Sequence, residues 1–156
     1  MVRALIVFVI AVVGFGGWMV YRGITVSLQA EENLHATLFT IRLVEQFVAE
    51  QGRWPRSWGE LEAMPVSGDA PPPLQGEISA LRIGGQRGYD WPAASPEIQR
   101  RVAIDFAADP AAIVRQDPMD FTAIKPIGPY YEYRDYGFVA SLQATIRRSI
   151  KGADRL

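Results

Sequence analysis

The chain has no cysteine, one histidine and only two lysines among 156 residues. Without thiols there is no disulfide staple, no thiolate nucleophile and no cysteine-ligated zinc or iron–sulfur site. A single imidazole, His35, excludes multi-histidine metal centres and relays. An excess of one charge is missing too: 16 Lys and Arg stand against 17 Asp and Glu, a formal net charge of -1. Proteins that bind nucleic acid by neutralising phosphates carry a basic domain, so nucleic acid is not an expected partner. Gly84-Gly85-Gln86-Arg87-Gly88 looks like a phosphate cradle only superficially, since no Lys-Ser/Thr follows and no helical pattern opens there. Serine-nucleophile signatures of the G-x-S-x-G or S-x-x-K kind are absent. No cofactor, no metal and no catalytic residue is expected from these patterns.

What the chain does have is a long apolar start. Ala4 through Tyr21 is an 18-residue run without a charge. As a helix rising about 1.5 Å per residue it reaches roughly 27 Å, close to the hydrocarbon thickness of a bilayer. Trp18 and Tyr21 stand at its far end, where amphipathic rings favour the membrane–water interface, and Arg3 and Arg22 flank it. Secretory signal peptides have shorter apolar cores, about 7–15 residues, and end at a small-x-small site. Here the best small residue downstream is Ala30, with bulky Leu28 two places before it. The run therefore predicts an uncleaved anchor over 1–22 with a short cytoplasmic end. The positive-inside rule puts the amino terminus in the cytoplasm and exports the body, because Glu31 and Glu32 follow on the far side. Gly14, Gly16 and Gly17 form no small-xxx-small pair within the run and are common in membrane helices, so they predict no packing face.

Beyond the anchor, Leu34, Leu38, Ile41, Val44 and Val48 recur at helical spacing, broadened by Phe39, Leu43 and Phe47. This predicts an amphipathic stalk or core helix over 23–52, with Glu31, Glu32, Arg42, Glu45 and Glu50 on the wetter face and Gly52 closing it. Ser57 and Glu60 make a capping box for a short helix through Met64. A Pro-rich loop occupies 64–75, and Glu77 to Ile83 reads as a weak strand. Val102, Ile104 and Phe106 alternate as a strand should, and Asp109-Pro110 and Asp117-Pro118 each open a helical turn. Phe121–Ile124 and Tyr130–Tyr133 are further short strands around the turn Pro126–Pro129. Phe138, Leu142, Ile146 and Ile150 set a terminal helix, with cations crowding its last turns.

The expected architecture is α+β: an N-terminal transmembrane helix continuing into the long amphipathic helix, packed on a small, mostly antiparallel sheet, with a C-terminal helix. Residues 53–156 form the exported body. Part of the long helix's stripe is left for another protein or a second copy, with Leu43, Phe47, Trp54 and Trp58 as the candidate interaction residues. In the Asp- and Tyr-rich second half, Asp105, Asp120 and Tyr133 are the candidates for a ligand or acid–base site, although Asp109 and Asp117 are explained as caps. Trp91, Tyr130, Tyr131, Tyr133 and Tyr136 read first as packing aromatics rather than a stacking platform. His35 reads as a surface or structural histidine.

This order of parts, followed by Gly52-Arg53-Trp54-Pro55-Arg56-Ser57-Trp58-Gly59-Glu60-Leu61, resembles the type IV pilin and type II secretion pseudopilin plan over about the first 62 residues. The resemblance implies a non-enzymatic, membrane-anchored envelope protein that scaffolds or joins an assembly. The prepilin peptidase site is not present: Gly14-Phe15 lies inside the apolar run and no glutamate follows it. The alternative is a small anchored enzyme or ligand-binding domain.

Overall fold

A computed structural model describes residues 2–64, 89–130 and 136–153, with side chains from Gly14 onward apart from Tyr136 and Ala153. One helix, α1 (Val2–Gln51), runs through 50 residues without interruption, about 75 Å along its axis. It ends where the backbone must turn left-handed. Gly52 takes φ +70° and its N–H donates to the Val48 carbonyl at 2.9 Å, closing the last turn.

The carboxy-terminal half of α1 is the axis of the core. Leu34, Leu38, Ile41, Val44 and Val48 are buried as their spacing predicts, and so are Ala36, Leu43 and Phe47 from other faces. Between Ala30 and Glu50 only Glu32, Ala49 and Glu50 are exposed. The expected wet face is therefore much narrower than its charges suggest. The reason is the last helix, α5 (Tyr136–Ala153), which lies along α1 in the same direction. Phe138, Leu142 and Ile146 pack into the core, at 2%, 0% and 2% exposure. The Glu45 carboxylate meets that helix with polar partners in place, accepting from Ser141 Oγ at 2.6 Å and Thr145 Oγ1 at 3.2 Å. Arg42 reaches the same carboxylate at 2.7 Å and lays its guanidinium 4.5 Å from the centre of the Phe138 ring. A half-buried charge is tolerable only with such partners.

The remaining elements are short. Ser57 caps α2 (Trp58–Glu62) by accepting from Glu60 N–H. The helix α3 (Ser95–Arg101) has Pro in its first turn and Arg100 and Arg101 in its last. The chain then enters β1 (Val102–Ile104), which pairs antiparallel with β2 (Ile124–Pro126), Ala103 opposite Lys125 and Ile104 opposite Ile124. Between them lie α4 (Pro110–Arg115) and a 3-10 turn (Pro118–Asp120), capped by Asp109 and Asp117 through Ala111 and Met119 N–H. Gln143 on α5 donates to the Ile113 and Gln116 carbonyls at 2.9 and 3.0 Å, satisfying the open end of α4.

The fold is α+β and mostly helical, with a two-stranded antiparallel sheet and a C-terminal helix. Several expected boundaries need correction. The strand over 102–106 stops at Ile104, because Asp105 turns the chain by accepting from Ala107 N–H. The second strand begins only at the last residue of Phe121–Ile124, and Tyr130 lies outside any strand. The segment 95–101, assigned no element from sequence, is α3. The weak strand 77–83, most of the Pro-rich loop and residues 131–133 lie outside the described residues. Among the described residues no helix is long and apolar enough to cross a membrane; of the run Ala4–Tyr21, only Gly14–Tyr21 have described side chains.

Candidate functional site

The acidic candidates do not converge. Asp105 uses its carboxylate in the turn to Ala107, while its carbonyl accepts from the Trp54 indole at 2.9 Å. Asp120 is exposed at the end of the 3-10 turn. Tyr133 lies outside the described residues. Among the described residues no three His, Asp or Glu side chains gather into a group that could hold a metal ion.

The candidate interaction residues require a correction. Leu43 and Phe47 are 5% and 3% exposed, inside the core that α5 completes, so neither is on offer to a partner. Trp54 is buried as well, held by its hydrogen bond to Asp105. Trp58 is half-buried edge-on against Phe106, ring centres 6.0 Å apart. Trp91 is a core aromatic, packed with Tyr89 around Phe39. His35 is 3.8 Å from Glu31 one turn earlier, at the edge of the head.

Two polar arrangements stand out, and both hold backbone segments. At the base of the head, Asn33 donates to the Ile127 and Pro129 carbonyls at 3.1 and 2.8 Å, fixing a turn in which Gly128 has φ +93°. Its side-chain Oδ1 accepts from Arg101, whose guanidinium also contacts Glu32 at 2.6 Å and Glu97 at 3.4 Å. A cleft of about 350 Å3 opens beside this junction, lined by Gln29, Arg100 and Pro129 among others. Arg101 is already matched by two carboxylates there, so its charge is not free to recruit an anion. At the opposite end, Glu60 takes both guanidinium nitrogens of Arg53, at 2.8 and 3.0 Å, and the N–H of Arg56. These hydrogen bonds to the charged form, Arg53 first, hold the Glu60 carboxyl below its ordinary value; the same bond holds the Arg53 guanidinium above its own.

The feature with no use inside the head is the protruding part of α1. Phe15, Trp18, Met19, Val20 and Tyr21 are 52–71% exposed, and Ile24 and Leu28 are each 56% exposed. Contiguous exposed apolar surface of this kind marks a site of interaction with another protein or with a membrane. Phe15 and Trp18 touch, ring centres 6.1 Å apart, and Arg22 sits 5.4 Å over the Trp18 ring. A cation drawn back onto an indole is how a basic residue stays at a wet boundary while its stem lies along apolar surface. Comparison with family models, curated proteins and solved structures finds no match.

Proposed function

We propose that this chain is a single-pass, membrane-anchored, non-enzymatic envelope protein, a scaffold or assembly component of pseudopilin-like plan. Its amino terminus is cytoplasmic and its head is carried on the exported side. The observation that carries this reading is the bare, apolar end of an unbroken α1, with Trp18, Tyr21 and Arg22 grouped at one level. A bilayer can cover such a segment because its peptide groups beyond the first turn are paired inside the helix. A charge at mid-membrane costs about 3 kcal/mol on insertion scales, and the run Ala4–Tyr21 has none.

The non-enzymatic part rests on the employment of the polar side chains. The Asn33–Arg101 junction, the Glu45 cluster and the Arg53–Glu60 fork each tie one backbone element to another. The Ser141 hydroxyl donates to the Glu45 carboxylate, but that carboxylate is also held by Arg42 and Thr145 between α1 and α5. The test is extraction of membranes with alkaline carbonate, combined with protease treatment of sealed vesicles. The head should remain with the pellet and be digested only from the exported side. Release by carbonate would refute the anchor, and protection on that side would refute the orientation.

A further inference from the structure

We infer that the cleft at the base of the head holds the headgroup of a zwitterionic phospholipid, one that carries a primary amine beside its phosphate. The inference rests on the anchored reading above and adds the class of lipid that the head selects.

Position is the first argument. Residues 14–29 of α1 are exposed apart from Thr25, and Ala30 is the first that the rest of the chain buries. A hydrocarbon layer about 30 Å thick takes about 20 residues of straight helix, which from Ala4 ends at Gly23. Ala30 stands about 10 Å further along, and headgroups fill the first 5–7 Å or so of that interval. The head therefore begins just above the headgroup layer, and an arginine on its base reaches that layer along its own stem. Gln29 and Asn33, which line the cleft from α1, stand at this level.

Charge is the second. Arg101 is spent, because Glu32 meets it at 2.6 Å and Asn33 Oδ1 accepts from it at 3.3 Å. The open charges of the lining are Arg100 and Glu97. Arg100 is exposed and, among the described residues, has no carboxylate within ion-pair distance. Glu97 contacts Arg101 only at 3.4 Å, and its side chain is 49% exposed. A ligand with a single charge is drawn to one of these groups and repelled by the other. A ligand with both signs satisfies the pair, its phosphate accepting from Arg100 and its ammonium donating to Glu97.

The rest of the lining narrows the amine. Among the described residues no aromatic ring lines the cleft, so a quaternary ammonium finds no cage, whereas a primary amine has hydrogens to donate to Glu97 and to the exposed Gln29 amide oxygen. Ile127, 48% exposed, adds an apolar edge for the glycerol end of the lipid. The volume, about 350 Å3, is at the lower end of small-ligand sites. Lipid is the source because the anchor keeps the cleft beside a bilayer at high effective concentration, which a free solute of the same chemistry lacks.

The test places the full-length chain in nanodiscs of equal parts phosphatidylethanolamine, phosphatidylcholine and phosphatidylglycerol. Lipid kept through transfer into detergent is then counted per chain by mass spectrometry. About one phosphatidylethanolamine per chain is expected, in clear excess over the other two. Arg100→Gln and Glu97→Gln should each lower that retention about ten-fold, the loss of one charge-assisted hydrogen bond, while Lys151→Gln at the far end of α5 leaves it unchanged. Arg100→Gln breaks no ion pair, so its melting temperature should match the wild type and keep loss of lipid distinct from loss of fold. Equal retention of the three lipids, preference for phosphatidylglycerol, or retention indifferent to Arg100→Gln overturns the inference. Carbonate extraction separates the two readings: a membrane-retained chain without lipid selectivity refutes the cleft alone, and a released chain refutes the anchor.

Discussion

Asn33→Ala is the most informative single change, because one small side chain joins three parts of the molecule. Asn33 is 4% exposed. It donates at 3.1 and 2.8 Å to the Ile127 and Pro129 carbonyls, and accepts from Arg101 at 3.3 Å. Alanine removes all three bonds and gives neither carbonyl a replacement donor. Two neutral bonds contribute about 1 kcal/mol each, and the bond to a charged group contributes about 1.5–3 kcal/mol when fully sheltered. Arg101 retains Glu32 and Glu97 and borders an open cleft, so its share belongs near or below the bottom of that range. The sum is about 3 kcal/mol. For a chain of this size each kcal/mol lowers the melting temperature by about 3 °C, so a drop of about 9 °C is expected. The assay is thermal unfolding in detergent micelles, followed by near-ultraviolet circular dichroism. Asn33→Asp is the control: it keeps the acceptor for Arg101 but replaces both donors with an oxygen facing two carbonyls, and should fall at least as far. A drop below about 2 °C for both variants would show that the Ile127–Pro129 turn is held by something other than Asn33.

Other substitutions probe separate parts of the argument. Leu142→Ala empties a site with 0% exposure between α5 and α1 and should cost about 2–5 kcal/mol, read as a lower urea midpoint with an unchanged slope. Gly128→Ala places a Cβ at φ +93° and should cost about 1–2 kcal/mol; a neutral result would mean the turn relaxes freely. Asp105→Ala removes only the turn bond to Ala107 and should cost about 1 kcal/mol, with membrane retention unchanged; selective loss of function without that stability change would revive the ligand-site alternative. Glu60→Gln tests the fork with Arg53. Because the folded Glu60 carboxyl lies below its ordinary 4.5, its contribution is present above that value and is lost as pH falls through the depressed one. The melting-temperature gap between wild type and variant should hold from pH 7 to about 5 and close in stronger acid; a gap that widens in acid contradicts the assignment.

Local signals with their own chemistry were legible in the sequence. Gly52 closes α1, Ser57 caps α2, and Asp109 and Asp117 cap the turns they precede, because each depends on a few adjacent residues. The helical spacing of Leu34 through Val48 and of Phe138 through Ile146 was equally plain, and both lines are buried. Tertiary cover was not legible. Leu43 and Phe47 read as spare apolar surface, since nothing local says that α5 would return alongside α1 and enclose them. The charges on that face misled in the same way: Arg42 and Glu45 look solvated by type, yet they are half-buried because Ser141, Thr145 and the Phe138 ring come from about a hundred residues later. Short strands suffered most. With three residues each, β1 and β2 are positioned by pairing with one another and against α1 more than by their own alternation.

The continuity of α1 has a mechanical meaning. Under the anchored reading, a helix that enters the core without a break has no joint, so the head would turn with the segment beneath it. Membrane helices commonly lean by about 20°, and over a rod of about 75 Å that lean carries the far end sideways by roughly 25 Å. On that reading, local bilayer thickness would be converted into the position and facing of the head. A glycine pair or a proline near residue 29 would uncouple the two ends while leaving the anchor and the core each intact. The orientation of the head, rather than its folding, would register the loss.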